Sequence, residues 1–334
     1  MENLPFLAPI AADMRRVDQV VRARLGSDVA LVRQVAEYIV AGGGKRLRPA
    51  LVLLAAGAAG YPQNCAGKGA GTGGGERHYE MAAVVEFIHT ATLLHDDVVD
   101  ASDRRRGRKT ANAEFGNAAS VLVGDFLYSR AFQMMLGADS VRVMQVLADA
   151  TNMIAEGEVL QLMNCHDPAV DERGYLDVIR RKTAKLFEAA ARLGAILAAA
   201  PAPLEEGLAQ YGMRLGTAFQ LIDDVLDYSG DAAAIGKSLG DDLAEGKPTL
   251  PLIRAMASGS PQHAAVVRRA IVDGGRAEFP RVLEAVIASG ALDYARAVAQ
   301  REAEAARQAL AALPASGYKD SLLELASFSV VRQS

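Results

Sequence analysis

The chain has 334 residues, 51% of them hydrophobic, with no tryptophan, few other aromatics and a formal net charge of −4. A large core is affordable, a β-sandwich is disfavoured by the low aromatic content, and there is no basic excess of the kind that binds nucleic acid. Two cysteines, Cys65 and Cys165, are too few for a disulfide framework and fit a reducing compartment. In chain order, Met1 to Ile10 lacks the basic start of a signal peptide. Apolar residues then recur at three- and four-residue spacing over 29–41, 47–59, 79–101, 112–136, 139–164, 181–199 and 204–229, and again near 248–257, 262–273, 277–289, 291–312 and 319–331. That period predicts helices, and no segment alternates with period two. Breaks such as Gly42-Gly43-Gly44, Asp167-Pro168 and Pro201-Ala202-Pro203 separate them. The stretch 60–77, with Gly71, Gly73, Gly74 and Gly75, reads as a flexible surface loop; no Lys-Ser/Thr closes it as in a phosphate-binding P-loop. No uncharged apolar run reaches the ~20 residues of a membrane span, so a cytoplasmic protein is expected. With no repeat and no linker, one all-α domain over 1–334 is the simplest organisation.

Two acidic clusters dominate the chemistry. Asp96-Asp97-Val98-Val99-Asp100 ends a strongly apolar helix, and Asp223-Asp224-Val225-Leu226-Asp227 repeats the pattern after Phe219-Gln220-Leu221-Ile222. Residues four apart share a helix face, so Asp96 stacks on Asp100 and Asp223 on Asp227. Such stacks repel unless a cation lies between them. They also oppose the helix macrodipole when they sit at a C-terminus, which argues against two merely solvated helix ends. Oxygen ligands without nearby His or Cys suit Mg²⁺, which is commonly held by one or two carboxylates plus substrate phosphates.

Cations answer these carboxylates. Lys45 and Arg48, in Gly43-Gly44-Lys45-Arg46-Leu47-Arg48-Pro49, follow a glycine break where a helix is expected to start near Leu47, a ready anion site. Arg104-Arg105-Arg106-Gly107 follows the first acidic cluster; Lys182-Thr183, Lys237 and Lys247 come later. Any one of these reads equally as a surface cation, but three arginines within a turn of the first carboxylates call for a shared ligand. Arg suits bidentate phosphate contacts, and Lys acts as a point charge.

At this point the chain resembles the trans-isoprenyl diphosphate synthases, from about Ala36 to Arg332. The resemblance rests on Gly43–Pro49, His89-Thr90-Ala91-Thr92-Leu93-Leu94-His95-Asp96-Asp97 with Asp100, Arg105-Arg106-Gly107, Gly124-Asp125, Glu156-Gly157-Glu158, Lys182-Thr183, Phe219–Asp224 with Asp227, Gly236-Lys237 and Gly246-Lys247-Pro248-Thr249. It implies an all-α bundle of the isoprenoid synthase type around a deep central cavity, and a homodimer. It also implies two diphosphate sites. Lys45, Arg48, His89 and Arg106 would hold isopentenyl diphosphate. Asp96, Asp100 and Asp223 would bind three Mg²⁺ gripping an allylic diphosphate, with Asp227 a further, water-mediated ligand and Asp97 and Asp224 in the outer shell. Arg105, Lys182 and Lys237 would complete its neutralisation, and Thr183 and Gln220 would turn oxygen dipoles to the carbocation. For His89, diphosphate binding is favoured over base catalysis. His95 reads as a supporting or packing residue, and His78, His166 and His263 are given no role.

Product length follows from the helix before Asp96. Ala91 and Thr92, then Ile88 and Phe87, then Val84, lie on the face below the first cluster. In the family a bulky aromatic four or five positions before the first aspartate closes the tunnel; here those positions are Thr92 and Ala91, both small. From Ala91 back to Met81 the helix spans about 15 Å, with Phe87, Tyr128 and Phe132 as floor candidates. The resemblance thus implies a long product, about C40–C50, grown from farnesyl or geranylgeranyl diphosphate for a quinone side chain, with a transient membrane contact at release. The competing readings are a short-chain synthase, a class I terpene cyclase, which needs no second diphosphate site, and a non-catalytic partner subunit, which would lack intact aspartates.

Overall fold

Among the residues that the computed structural model describes (4–61, 76–229, 239–274 and 276–332), nearly all regular structure is α-helix. In chain order the helices are α1 (Ala11–Arg24), α2 (Ala30–Ala41), α3 (Leu47–Ala58), α4 (Arg77–Val99), α5 (Ala111–Phe115), α6 (Asn117–Met135), α7 (Val141–Asn164), α8 (Glu172–Ile179), α9 (Lys185–Leu197) and α10 (Ala202–Ser229). Then follow α11 (Asp241–Ala244), α12 (Leu250–Ser258), α13 (Pro261–Asp273), α14 (Phe279–Ala288), α15 (Ala291–Ala309) and α16 (Gly317–Val331). The all-α expectation holds, and α3 starts at Leu47 as the glycine break suggested.

Of the features that escaped the periodicity, three stand out. The first is α1, whose buried Met14, Val17 and Val21 are interspersed with four arginines. The second is α8, which buries Tyr175, Val178 and Ile179 within a short charged run. The third is a two-stranded hairpin, β1 (Arg104–Arg105) with β2 (Arg108–Lys109), too short to show a period. Its turn residues Arg106 (φ +53°) and Gly107 (φ +74°) are both left-handed, as a type I′ turn requires. The single helix expected over 112–136 is interrupted at Gly116.

The helices gather into two compact units, each made of three chain segments. The first comprises Met1–Thr151, Leu186–Gly212 and Arg307–Leu325. Its centre is α4, which is apolar on nearly every side: Met81 to Val85, Phe87, Ile88, Ala91 and Leu94 are fully buried. Helices α1, α3 and α6 pack around it. Each large side chain of this kind stabilises the fold by about 1.5–3 kcal/mol, so the position and rotation of α4, and of the acidic cluster at its end, are set by burial.

The second unit comprises Asn152–Lys185, Met213–Ala306 and Ala326–Ser334. One of its apolar clusters joins Tyr228, Leu243, Leu252, Val267, Ile271 and Val286. Another joins Tyr175, Ile179, Leu221, Ile222, Val225 and Leu250. Leu221, Ile222 and Val225 interleave with Asp223, Asp224 and Asp227 on α10, so packing of the apolar side fixes the direction of the acidic one. No helix among the described residues is long and apolar enough to cross a membrane.

Candidate active site

In the first unit, α4 delivers its acidic cluster at its C-terminal end. The Asp100 N–H donates to the Asp96 carbonyl at 2.8 Å, so the two carboxylates lie one turn apart as their spacing required. Asp97 points the other way. It is wholly buried, and its Oδ1 accepts from Arg105 Nε at 2.8 Å and Nη2 at 2.7 Å. Asp97 therefore ties the hairpin to the end of α4.

The basic turn before α3 is built around its glycines. Arg106 reaches across it and donates to the Gly43 carbonyl. Gly44 sits at φ +143°, which favours glycine, and a Cβ there would push against the Arg106 guanidinium. Arg46 caps α3 in a left-handed conformation and turns inward to Glu86 at 2.8 Å, which makes it a structural cation. Arg48 turns the other way: its guanidinium stacks 4.5 Å from the Phe187 ring centroid and its Nη1 lies 3.1 Å from His89 Nε2. Guanidinium only donates, so Nε2 accepts and His89 is neutral with its proton on Nδ1. Burial holds the His89 pKa well below its ordinary value, and Arg48, Arg106, Arg105 and Arg46 push it further down. Arg46 and Arg105 are held by Glu86 and Asp97, so Arg48 and Arg106 are the cations beside the neutral imidazole that could take an anion. Lys45, half-buried, belongs to the same turn.

The residues assigned to the tunnel have varied surroundings. Val84, Phe87, Ile88 and Ala91 are fully buried. Thr92 is half-buried, its hydroxyl donating to the His89 carbonyl at 2.8 Å. Tyr128 is half-buried on α6, with its ring 5.9 Å from that of Phe132, which is 42% exposed. His95 stands 3.3 Å from Asp125, which accounts for the Gly124-Asp125 pair as a support for α4.

In the second unit, the chain between α8 and α9 forms one π-helical turn, Arg180–Ala184. Such turns insert a residue into a helix and re-aim its side chains; this one carries Lys182 and Thr183. A Cβ on Gly157 would come within 2.6 Å of the Lys182 backbone nitrogen, so Gly157 lets α7 approach the turn. Lys182 Nζ donates to Glu158 and, at 2.7 Å, to Gln161. Thr183 Oγ1 donates to Gln220 Oε1 at 3.0 Å, and Gln220 Nε2 donates to Asp224 Oδ1 at 2.7 Å. Tyr175 donates to Asp224 Oδ2 at 2.6 Å.

The second acidic cluster divides much as the first does. Asp223 is partly exposed and pairs with Arg332 at 2.7 Å; Arg332 is nearly buried and stacks on Phe219. Asp224 is buried. Asp227 accepts from the backbone N–H groups of Asp241 and Asp242 at 3.3 and 3.4 Å. Burial pushes the Asp224 and Asp227 carboxyls up, and Asp242 pushes both further. The spacing argument missed Asp241 and Asp242, although Gly240-Asp241-Asp242 lies four residues before the Gly246-Lys247 motif. It also missed Tyr175 and Arg332, for which sequence gives no signal. Lys237, Gly236, Cys65 and most of the glycine-rich loop lie outside the described residues.

The donor set fits a divalent cation. Each acidic cluster offers hard oxygens, and in the second one burial first, then the neighbouring Asp242, holds Asp224 and Asp227 up. No three His, Cys, Asp or Glu side chains among the described residues form a ready-made ligand cluster. An ion held here would therefore draw on substrate phosphate and water, as Mg²⁺ commonly does.

The model of the polyprenyl synthetase family matches residues 29–286. The chain belongs to this family. It is 53% identical to octaprenyl diphosphate synthase of Escherichia coli (strain K12) over 323 residues, 96% of each chain. It is 45% identical to the all-trans-nonaprenyl-diphosphate synthase (geranyl-diphosphate specific) of Rhodobacter capsulatus, covering 98% of this chain and 97% of that one. Among solved structures it resembles a polyprenyl synthase from Caulobacter crescentus CB15 complexed with calcium and isoprenyl diphosphate: TM-score 0.92, 45% identity, 98% of this chain and 97% of that one. The polyprenyl synthetase assignment agrees with the resemblance that the motifs carried.

Proposed function

We propose that this polyprenyl synthetase is a long-chain trans-polyprenyl diphosphate synthase, dependent on a divalent metal, that condenses isopentenyl diphosphate repeatedly with an allylic diphosphate. The observation that carries this reading is the pairing of two acidic helix faces with a separate anion site of Arg48, Arg106 and neutral His89. A terpene cyclase needs no such second site, and a non-catalytic subunit needs neither acidic cluster. Long-chain relatives at 53% and 45% identity favour about C40–C50 over a short product.

Mg²⁺ is the ion that best suits carboxylates sharing a shell with phosphate. Asp96, Asp100 and Asp223 are its proposed ligands, three ions being expected, with Asp227 a further ligand and Asp97 and Asp224 supporting. When bound, it disperses the charge that builds on the leaving diphosphate. Lys45, Arg48, Arg106 and His89 hold the diphosphate of isopentenyl diphosphate, and His89, being neutral, donates through Nδ1 without adding charge. Arg105, Lys182 and Lys237 neutralise the allylic diphosphate. Thr183 and Gln220 turn oxygen toward the carbocation formed as the allylic C–O bond breaks. The double bond of isopentenyl diphosphate attacks that carbon, and the proton lost afterwards goes to the departed diphosphate, since no side-chain base is obvious among the described residues.

The growing chain runs along α4 past Ala91, Ile88, Phe87 and Val84, a stretch of apolar or small side chains. A homodimer is proposed as well. Leu122, Phe132 and Leu136 leave 66%, 42% and 64% of their surfaces exposed on α6 and the turn after it, an apolar face that a second copy would cover. Phe132 fits that contact better than a tunnel floor, and Phe87 and Tyr128 remain the floor candidates. The test is incubation with isopentenyl and farnesyl diphosphates with and without a chelator. Metal-dependent elongation supports the reading; cyclised hydrocarbon or no turnover rejects it.

A further inference from the structure

Tyr175 lies seven residues before Lys182, outside every motif quoted above, yet it ends a hydrogen-bond chain that reaches Thr183. Its ring is 5% exposed and Asp224 is 3% exposed, so water does not compete for the 2.6 Å bond between them. Asp224 accepts two bonds, one on each oxygen: Tyr175 on Oδ2 and the Gln220 amide nitrogen on Oδ1 at 2.7 Å. The orientation of the amide follows. Gln220 Nε2 donates to Asp224 Oδ1, so the NH₂ end of Gln220 faces Asp224. The carbonyl end then faces Thr183, at 3.0 Å, and can only accept, so the Thr183 hydroxyl donates. The hydroxyl proton is thereby engaged, and only oxygen lone pairs remain for anything else beside Thr183.

We propose that Tyr175 is a positioning residue for the condensation: acting through Asp224, it fixes which end of the Gln220 amide meets Thr183, and so keeps the Thr183 oxygen turned outward. This rests on the proposed function, in which Thr183 faces a carbocation. The sign matters there. A lone pair stabilises developing positive charge, and an O–H proton opposes it. Without the tyrosine hydroxyl, Asp224 loses one of its two fixed donors and can turn. The Gln220 amide is then free to flip, and a flipped amide offers NH₂ to Thr183, reversing the hydroxyl. Tyr175 touches no reacting atom in this account; it acts by holding Asp224. Asp224 likewise serves as the acceptor that sets the polarity of the chain.

The experiment combines a structural and a kinetic measurement on the full chain. In protein labelled with ¹⁵N-glutamine, the Gln220 side-chain amide pair is assigned by its loss in Gln220→Met. It is expected to exchange slowly with solvent in the wild type and to shift and exchange faster in Tyr175→Phe. An unchanged pair overturns the proposal, and this measurement stands whether or not the chain elongates isoprenoids. In steady-state kinetics, Tyr175→Phe is expected to lower kcat about tenfold with KM for both diphosphates within about twofold. In a Thr183→Val background it should add almost nothing, because the hydroxyl it orients is gone. Losses that multiply in the double variant would show a general structural effect and overturn the proposal. If Tyr175→Phe fails to fold, Asp224→Asn keeps the shape and reverses the polarity; wild-type kcat in that variant overturns it too. A wild type that does not elongate would reject the proposed function alone, with the amide measurement still deciding the network.

Discussion

Asp96→Ala and Asp223→Ala each remove a carboxylate from a partly exposed position, so both proteins should keep their helical fold while turnover is abolished. Circular dichroism beside a turnover assay at saturating Mg²⁺ checks this; near-normal rates in either variant would contradict the metal assignment. Asp97 and Asp224 are a different matter. Each is buried and bonded to named donors, Arg105 in one cluster, Tyr175 and Gln220 in the other. Each five-residue acidic motif thus buries some of its carboxylates and leaves others partly exposed, because exposure depends on which side the apolar neighbours bury. The cations divide too. Arg48→Ala should raise KM for isopentenyl diphosphate about ten- to hundredfold, the loss of a charge-assisted contact worth roughly 1.5–3 kcal/mol. Lys237→Ala should act chiefly on the allylic substrate and kcat. Equal effects on both substrates in either variant would contradict two separate diphosphate sites.

Helix α4 joins several of these residues on one rigid element. Ala91 precedes Asp96 by about one and a half turns and is fully buried. Ala91→Tyr should place a ring across the path of the growing chain, at a cost of about 1–3 kcal/mol in stability from overpacking. Chromatographic sizing is expected to show a soluble enzyme that stops at farnesyl or geranylgeranyl length; an unchanged long product would mean that Ala91 does not border the path. At the other end of α4, His78 packs against Tyr61 and Tyr79, with ring centroids 4.6 and 3.8 Å away. Burial lowers its pKa from 6.5 to about 4, against the opposing pull of Asp13 and Glu76. The unfolded chain therefore binds a proton that the folded one refuses, and stability from this group is lost as pH falls from 6.5 toward 4. The drop in Tm over that interval should be smaller in His78→Phe than in the wild type; identical acid limbs would exclude this role. α4 was legible in sequence because its apolar run is long and uninterrupted. The hairpin after it was not, since two residues per strand show no period and its turn places an arginine where Asn or Gly is usual.

At the scale of the whole molecule, the all-α architecture and both acidic helices could be read from periodicity and spacing, because burial of the apolar faces and repetition of the five-residue pattern are local properties. The hidden part is long-range. Arg332 meets Asp223 across 109 positions and Tyr175 meets Asp224 across 49, and no local pattern encodes such meetings. Asp241 and Asp242 lay beyond the same horizon, since their effect on Asp227 depends on how the chain returns after α10. The proposed activity is repeated condensation, in which the small residues before the first acidic cluster are assigned the task of letting the chain grow. The most direct test is to supply the wild-type protein with farnesyl diphosphate, excess labelled isopentenyl diphosphate and Mg²⁺, and to size the dephosphorylated products. The account predicts a metal-dependent product of about C40–C50; a product no longer than C20, or none, would contradict it.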